Sequence, residues 1–520
     1  MSMRLPLFLG LASLVSAPAF AQTPAATADP DLARRYQQTI TPAELAGHLY
    51  VYADDYLAGR ATGAPGQRFA SRYLAGQYQA MGVAPKGSGG ADGPYGLGVY
   101  LQPFALEQDV LHGLTVTVRR GDDRVLESVV RAGDASGVAL APAYGSVDDP
   151  SPAPLVYVGD GADLDGLDVD GAYALVVPGA GGQAALQTAA AALGGAGARA
   201  VVIVSAPEVS ALEARTARSL GGGRLALPSD GEDEPDGLPP VFLTGRDVVT
   251  ALLGTDEPAL GDTGLTLAVD ADAETRRVET ENVVAVVEGS DPTLRDEYVV
   301  ISAHLDHVGD DGEGEDVIYN GADDDGSGTV TLLEIAEAFQ TAKEAGHGPR
   351  RSVLFLHVTG EEEGLLGSAY FTDREPLVPV ESVAANLNID MIGRYDPERG
   401  FETTDYVYVI GGDLISQDLD DWNAAVNDAT GTGLFLSDRF NSPDDPNQFF
   451  RRSDHWNFGK YDVPFIFYFT GTHEDYHGVG DSADKIDYDR MARIARLIFG
   501  TAWEVANSDA RPRVSGEGFN

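Results

Sequence analysis

The sequence predicts an α/β protein: a mostly parallel, mixed sheet flanked by helices, interrupted by a smaller β-rich unit. Two patterns point there. After Val278, apolar strand runs ("ENVVAVVEG", "EYVVISAHLDH", "RSVLFLHVTG", "AANLNIDMIG", "YVYVIGG", "VPFIFYFT") alternate with amphipathic helical stretches ("TVTLLEIAEAFQTAKEAG", "DRMARIARLIFGTAWEVA"). That alternation builds a parallel sheet covered on both faces. Between residues 135 and 264 the composition shifts to Ala, Gly, Val, Asp and Pro, with the short strand runs "APLVYVGDG", "YALVVPG", "ARAVVIVS" and "PPVFLTG". The division expected is a main domain over 30–134 and 278–510, with an insertion over 135–270.

In chain order, "MSMRLPLFLGLASLVSAPAFAQ" has a basic start, a short apolar run and Ala19-Phe20-Ala21. Residues 1–21 therefore read as a secretory signal peptide cleaved after Ala21, which makes the mature protein periplasmic or secreted. Thr41 caps a helix with Pro42 at its first position. "GQRFASRYLAGQYQAMG" places Phe69, Tyr73, Leu74 and Tyr78 near helical spacing and stops at Gly82. "LHGLTVTVRRGDDRVLESVVRAG" reads as a hairpin about Gly121-Asp122-Asp123. "GGQAALQTAAAALGGAGA" is a helix of the insertion, and "SDGEDEPDG" (Ser229–Gly237) is a loop of it.

The bulk numbers exclude several functions. With 520 residues and 43% hydrophobic content, the chain has enough material for two or three domains with cores. Cysteine is absent, which rules out thiolate ligands and cysteine nucleophiles. Thirty-five basic residues stand against 81 acidic ones, a net charge of −46. Nucleic acid and anionic membranes are poor partners for such a surface, and no run suggests membrane insertion. The charge is the pattern of a surface adapted to high salt.

Function is expected at the carboxyl ends of the strands. The run "EYVVISA" leads into His304-Leu305-Asp306 and then "NGADDDGSG" (Asn320–Gly328). "RSVLFLHVTG" leads into Glu361-Glu362-Glu363-Gly364, "AANLNI" into Asp390, and "VPFIFYFTG" into His473, Tyr476 and His477. Four segments thus bring His and carboxylate groups to strand ends. A His/carboxylate set suits Zn²⁺, or less often Mn²⁺ or Co²⁺. Its size exceeds one tetrahedral site and fits two metals sharing a bridging carboxylate. A bridging aspartate would also explain three adjacent acids, since two cations offset the crowding.

In this order, "SAHLDH", "NGADDDGSG", "EEEGLLGS", "NIDMIG", "SDHWNF" and "YHGVGD" resemble the co-catalytic di-zinc exopeptidases, a family that includes bacterial leucyl aminopeptidases, glutamate carboxypeptidase and the transferrin receptor. The insertion is similar to a protease-associated domain through "APLVYVGDG" and "DVDGAYALVVPG". The resemblance implies the zinc exopeptidase fold and two Zn²⁺ per chain. It implies Asp324 as the bridge, His304 and Asp390 on one metal, and Glu362 and His477 on the other. It implies Glu361 as general base, Asp306 orienting His304, Tyr476 donating to an oxyanion, and a cis Asp324–Asp325 bond. The expected activity is removal of amino-terminal residues from peptides. The alternatives are a carboxypeptidase, for which Arg394, Arg439, Arg451 and Arg452 are the candidate carboxylate holders, or a binding protein on the same fold.

The remaining polar residues read more plainly. Asp323 and Asp325 shape the loop or stand behind the ligands, and Glu363 is either structural or solvent-facing. His48, His112, His347 and His357 pack or lie at the surface, and His307 lines the pocket. His473 and His455 stand next in line as ligands should His477 not serve. "DDGEGED" (Asp310–Asp316) is a solvated acidic loop rather than a Ca²⁺ site. "LAGRATGAPG" (Leu57–Gly66) is either a surface turn or part of the cleft wall.

Overall fold

The structure, a computed structural model, describes residues 28–515 except 92–95, 132–133, 145–146, 148, 180–181, 206–211, 214–215, 217–219, 221, 229–238, 256–257, 311–313 and 443–444. The expected signal peptide and the Ser229–Gly237 loop lie outside these residues, as does part of Asp310–Asp316.

Strand Tyr298–His304 is central, with parallel neighbours Ser352–Val358 and Val383–Ile389 on its two sides. Strand Phe465–Phe469 continues the parallel set beyond Val383–Ile389. Tyr406–Ile410 then runs antiparallel and carries the parallel edge strand Phe435–Ser437. On the other flank, Gly261–Val287 pairs antiparallel with Ser352–Val358. The sheet is therefore mixed and mostly parallel over the half built by strands Tyr298–His304 to Phe465–Phe469. The four parallel strands are buried along their whole length. This is why they read as continuous apolar runs rather than alternating ones.

Helices Pro42–Tyr52, Pro65–Met81, Gly328–Glu344 and Tyr488–Asn507 contribute to the larger core, with Leu49, Leu74, Phe339 and Phe499 fully buried against the sheet residues Val299, Ile301 and Phe355. A second core, with Val300, Leu354, Phe371 and Phe458, is built from the other sheet face. Thr41 caps its helix by accepting from the Glu44 amide at 3.2 Å, and the helix ending at Met81 stops at Gly82 in the left-handed region. Phe69 departs from the expectation. It is 70% exposed, because the buried stripe of that helix runs through Ala70, Leu74 and Tyr78 instead.

Strands Ala153–Tyr157, Tyr173–Val176, Ala200–Ser205 and Val241–Gly245 form the parallel part of the second unit. Its core includes Leu114, Val116, Val118 and Val130, so it extends amino-terminally beyond residue 135. The reason is the hairpin of Leu101–Arg120 with Asp123–Arg131, whose distal half packs there. Leu101–Arg120 also pairs with the 27-residue strand Gly261–Val287 from Leu101 to Arg119. Two long strands thus join the units, and the composition change near 270 falls inside a continuous strand. Among the described residues no helix is long and apolar enough to cross a membrane.

Arg351, 1% exposed, locks the start of its strand to the end of the last helix. It donates Nε to Glu297 Oε2 at 2.6 Å and Nη1 to the carbonyls of Val505 and Ser508 at 2.9 and 2.6 Å. Arg351→Leu is expected to lower the unfolding free energy by about 3 kcal/mol, since it strands buried acceptors and an acid. Denaturant unfolding of the full chain measures this, and a loss near zero would contradict it.

Candidate metal centre

Because the four strands run in parallel, their carboxyl ends share one edge of the sheet, and the loops that follow them converge there. His304 ends one strand, and its Nε2 lies 3.2 Å from Asp324 Oδ1 and 3.7 Å from Asp390 Oδ1. On the other oxygen of Asp324, His477 Nε2 stands 3.1 Å from Oδ2 and 3.1 Å from Glu362 Oε2. His304, Asp324, Asp390, Glu362 and His477 are thereby brought together, with Asp324 common to both sides.

Two groups have the spacing of metal ligands: His304, Asp324 and Asp390, and His307, Asp324 and Glu362, each with ligand atoms within 4.8 Å of one another. Asp324 Oδ2 is buried and has no well-aligned hydrogen-bond partner. A buried, unsatisfied carboxylate oxygen among His and acid donors fits a hard or borderline cation such as Zn²⁺.

His307 was expected only to line the pocket. It is fully buried, and its Nδ1 lies 2.8 Å from Glu362 Oε1 and 3.8 Å from Asp324 Oδ2. The signal for it is the His-x-x-His spacing in "HLDH". His473 lies 3.4 Å from Asp323, not at Asp324. His455 is buried against Phe465 and Phe467 with Nε2 2.9 Å from the Phe450 carbonyl. Burial pushes its pKa down to about 3, so it stays neutral and away from the donors. His357 is buried with Tyr78, His48 contacts Tyr73 and Glu334, and His347 contacts Tyr36. His112 sits near Glu274.

Asp306 acts on His304 differently from the expectation. Its backbone carbonyl lies 3.1 Å from His304 Nδ1, whereas its carboxylate is 3.8 Å away. The carboxylate instead accepts from Thr62 Oγ1 at 2.8 Å and from the Glu361 amide at 3.3 Å.

The three adjacent aspartates are all buried, and the backbone neutralises two of them. Asp323 accepts from the amides of Gly393 and Arg394 at 2.6 and 3.1 Å. Asp325 accepts from His304, Gly328 and Met391 at 3.2, 2.8 and 3.1 Å. Asp481 in turn accepts from the amides of Asp323 and Asp324. The Asp324–Asp325 bond is cis. Leu57–Gly66 is neither a surface turn nor a plain cleft wall. Arg60 in it is 1% exposed and donates to the carbonyls of Tyr52, Leu305, Asn320 and Gly321. It ties the His304 loop to the aspartate loop from beneath.

Electrostatics separate the neighbouring glutamates. Burial, with Asp390 and Glu362 nearby, drives Glu361 well above the usual carboxylate range despite the opposing pull of His304. Burial and Asp324 also push Glu362 upward, but hydrogen bonds from His307 and His477 outweigh them and hold it below. Burial raises Asp324 too, yet His304, His307 and His477 bring it well below the normal value. Burial alone would lower His304, but Glu361, Asp324 and Asp390 raise it. Tyr476 stacks on His477 with ring centroids 4.0 Å apart, and burial followed by the surrounding acids raises its hydroxyl. Glu363 is not simply solvent-facing, because its carboxylate accepts from the Leu225 amide of the second unit at 3.4 Å.

Comparison with known proteins fits this geometry. Residues 282–502 match the model of peptidase family M28. The M28 segment holds every residue of both ligand groups. A protein named "Probable zinc metalloprotease" from Pyricularia oryzae is 31% identical over 270 residues, 45% of this chain and 52% of its own length. "Leucine aminopeptidase 1" from Sclerotinia sclerotiorum is 30% identical over 228 residues, 41% of this chain and 54% of its own. The chain therefore spans about half the length of these relatives. The fold is shared with an aminopeptidase from Aneurinibacillus sp. strain AM-1, at a TM-score of 0.58 and 20% identity over 94% of this chain and 98% of that one.

Asp325→Ala removes the acceptor of three buried amides. The expected result is a loss of about 3 kcal/mol or more of stability. Thermal unfolding of the full chain measures it, and an unchanged midpoint would show that the loop does not depend on this carboxylate.

Proposed function

We propose that this protein is an exported di-zinc aminopeptidase. The observation that carries the reading is Asp324, shared between two donor groups, beside adjacent glutamates driven in opposite directions. The M28 segment and relatives named for zinc and for leucine aminopeptidase activity support it. Export is inferred from the leader sequence, and the unit that follows the first hairpin is read as protease-associated.

In this reading His304 and Asp390 would hold one zinc, Glu362 and His477 would hold the other, and Asp324 would be shared by both. The bound ions supply Lewis-acid polarisation of the scissile carbonyl and acidification of a water. Glu362, held anionic by His307 and His477, remains a ligand. Its neighbour Glu361, which lines the same spaces, would take the proton of the attacking water and deliver it to the leaving amine. Tyr476 donates its hydroxyl to the oxygen that gains negative charge. Asp306 fixes both partners, His304 through its carbonyl and the Glu361 backbone through its carboxylate. An acidic site of this kind also suits the substrate's terminal ammonium group.

A metallo-carboxypeptidase is the second reading, favoured by Arg451 and Arg452 beside the glutamates. One short peptide in free, amino-blocked and carboxy-blocked forms, hydrolysed in zinc-containing buffer, separates the two. The expected outcome is loss of cleavage on amino blocking alone. Loss on carboxy blocking alone would favour the carboxypeptidase, and zinc uptake without turnover of any form would favour a binding protein. Glu361→Gln is expected to lower kcat by roughly 10²–10⁴-fold, with zinc content unchanged by metal analysis.

A further inference from the structure

We propose that Arg224, Arg451 and Arg452 form a carboxylate-binding rim on the leaving-group side of the cleft, which makes short peptides with a free carboxyl terminus the preferred substrates. The proposal rests on the aminopeptidase reading above.

Two spaces meet at Glu361, Glu362 and Tyr476. The inner one has an aromatic and aliphatic wall of Met391, Phe449, Phe467 and Phe469, faced by Asp324 and Asp390, and Arg452 stands between it and the outer space. The outer one, about 950 Å³ and open to solvent, carries Arg224, Arg451 and Arg452. A substrate whose first side chain lies against the Met391 and Phe449 wall, with its carbonyl at Glu361 and Tyr476, leads the rest of its chain out through the outer space past the arginines. An extended residue advances about 3.5 Å, so such a space takes roughly one or two residues beyond the scissile bond. The terminal carboxylate of a di- or tripeptide then falls at the rim.

The three guanidinium groups are held in place. Arg451 lies 5.0 Å from the ring centres of both Phe450 and Trp456, and Arg452 lies 5.1 Å from that of Phe449. Ring faces fix the planar groups and leave N–H edges for an acceptor. Arg224 reaches across from the second unit and donates Nε and Nη2 to the Glu363 carbonyl oxygen at 3.3 Å each. Gly364 leaves room for this approach, since a Cβ there would lie 2.6 Å from Arg224 Nη2. Among the described residues, none of the three has a carboxylate within ion-pair distance. The other arginines once considered are committed elsewhere. Arg394 pairs with Asp475 at 3.0 Å and Arg439 with Asp396 at 3.2 Å.

In a chain of net charge −46, an anionic peptide end is repelled by most of the surface. Arginines beside the cleft that have no carboxylate within ion-pair distance among the described residues are therefore where such an end can settle, and the fork geometry of guanidinium suits a carboxylate. This also gives the second unit a task at the site, through Arg224.

The test compares kcat/KM of the zinc-loaded full chain on Leu-Ala-Ala, its carboxyl-terminal amide, and Leu-Asp-Ala amide. The expected result is about tenfold preference for the free acid over its amide. That ratio should fall towards one as salt is raised, and also in Arg451→Gln/Arg452→Gln and, more weakly, in Arg224→Gln. The ratio is internal to each variant, so partial loss of fold does not mimic the effect. Equal cleavage of acid and amide by the wild type would overturn the rim while leaving the aminopeptidase intact. A preference that survives both substitutions would overturn the assignment to these arginines. Preference only for Leu-Asp-Ala amide would overturn the terminal carboxylate in favour of an acidic side chain. No cleavage of any of the three would overturn both readings.

Discussion

Everything at the active edge of this protein depends on burying adjacent carboxylates without water to solvate them. Asp323, Asp324 and Asp325 are each at most 3% exposed. An unpaired buried charge is among the costliest features a fold can carry. The chain meets this by dividing the labour. Asp323 and Asp325 turn to backbone amides of neighbouring loops, and those hydrogen bonds fix where His304 and Met391 stand. Asp324 is left between histidines with one oxygen unsatisfied. Backbone amides thus satisfy the oxygens of Asp323 and Asp325, and metal is the fitting partner for Asp324.

The same economy of position links fold to chemistry. Parallel strands deliver His304, the glutamates, Asp390 and the His477 loop to one sheet edge. Arg60, from the amino-terminal part of the chain, gathers the carbonyls behind two of those loops. Glu361 and Glu362 stand in the turn that follows the strand Ser352–Val358, and they meet different environments. One becomes a better proton acceptor and the other a fixed anion. In the proposed mechanism this dipeptide step would supply both a metal ligand and the base.

Much of this was legible in the sequence, because apolar runs and strand-end His and acid residues are local patterns. The central strands, the cap at Thr41, the hairpin and the arrival of His and acid residues at one sheet edge follow from such patterns, whereas the choice of His304, Asp324, Glu362, Asp390 and His477 among them came from the family resemblance. What was not legible depends on contacts between distant segments. Arg60 reads as part of a turn, since nothing local reveals the carbonyls of Asn320 and Gly321 that it serves. His307 reads as a bystander because its partner Glu362 is 55 residues away. The second unit's start lies within the hairpin because two long strands run through both units, and composition does not mark where a continuous strand changes its neighbours. Phe69 fits a helical stripe by spacing, but which stripe is buried is set by the sheet beneath.

The central claim is that Asp324 joins two metal positions. Chelator-stripped protein, reloaded with zinc and dialysed, gives the count per chain by metal analysis. The account predicts two ions in the wild type and less than one in Asp324→Asn, with the variant still folded by circular dichroism. A wild type that binds a single ion, or a variant that keeps two, would contradict it.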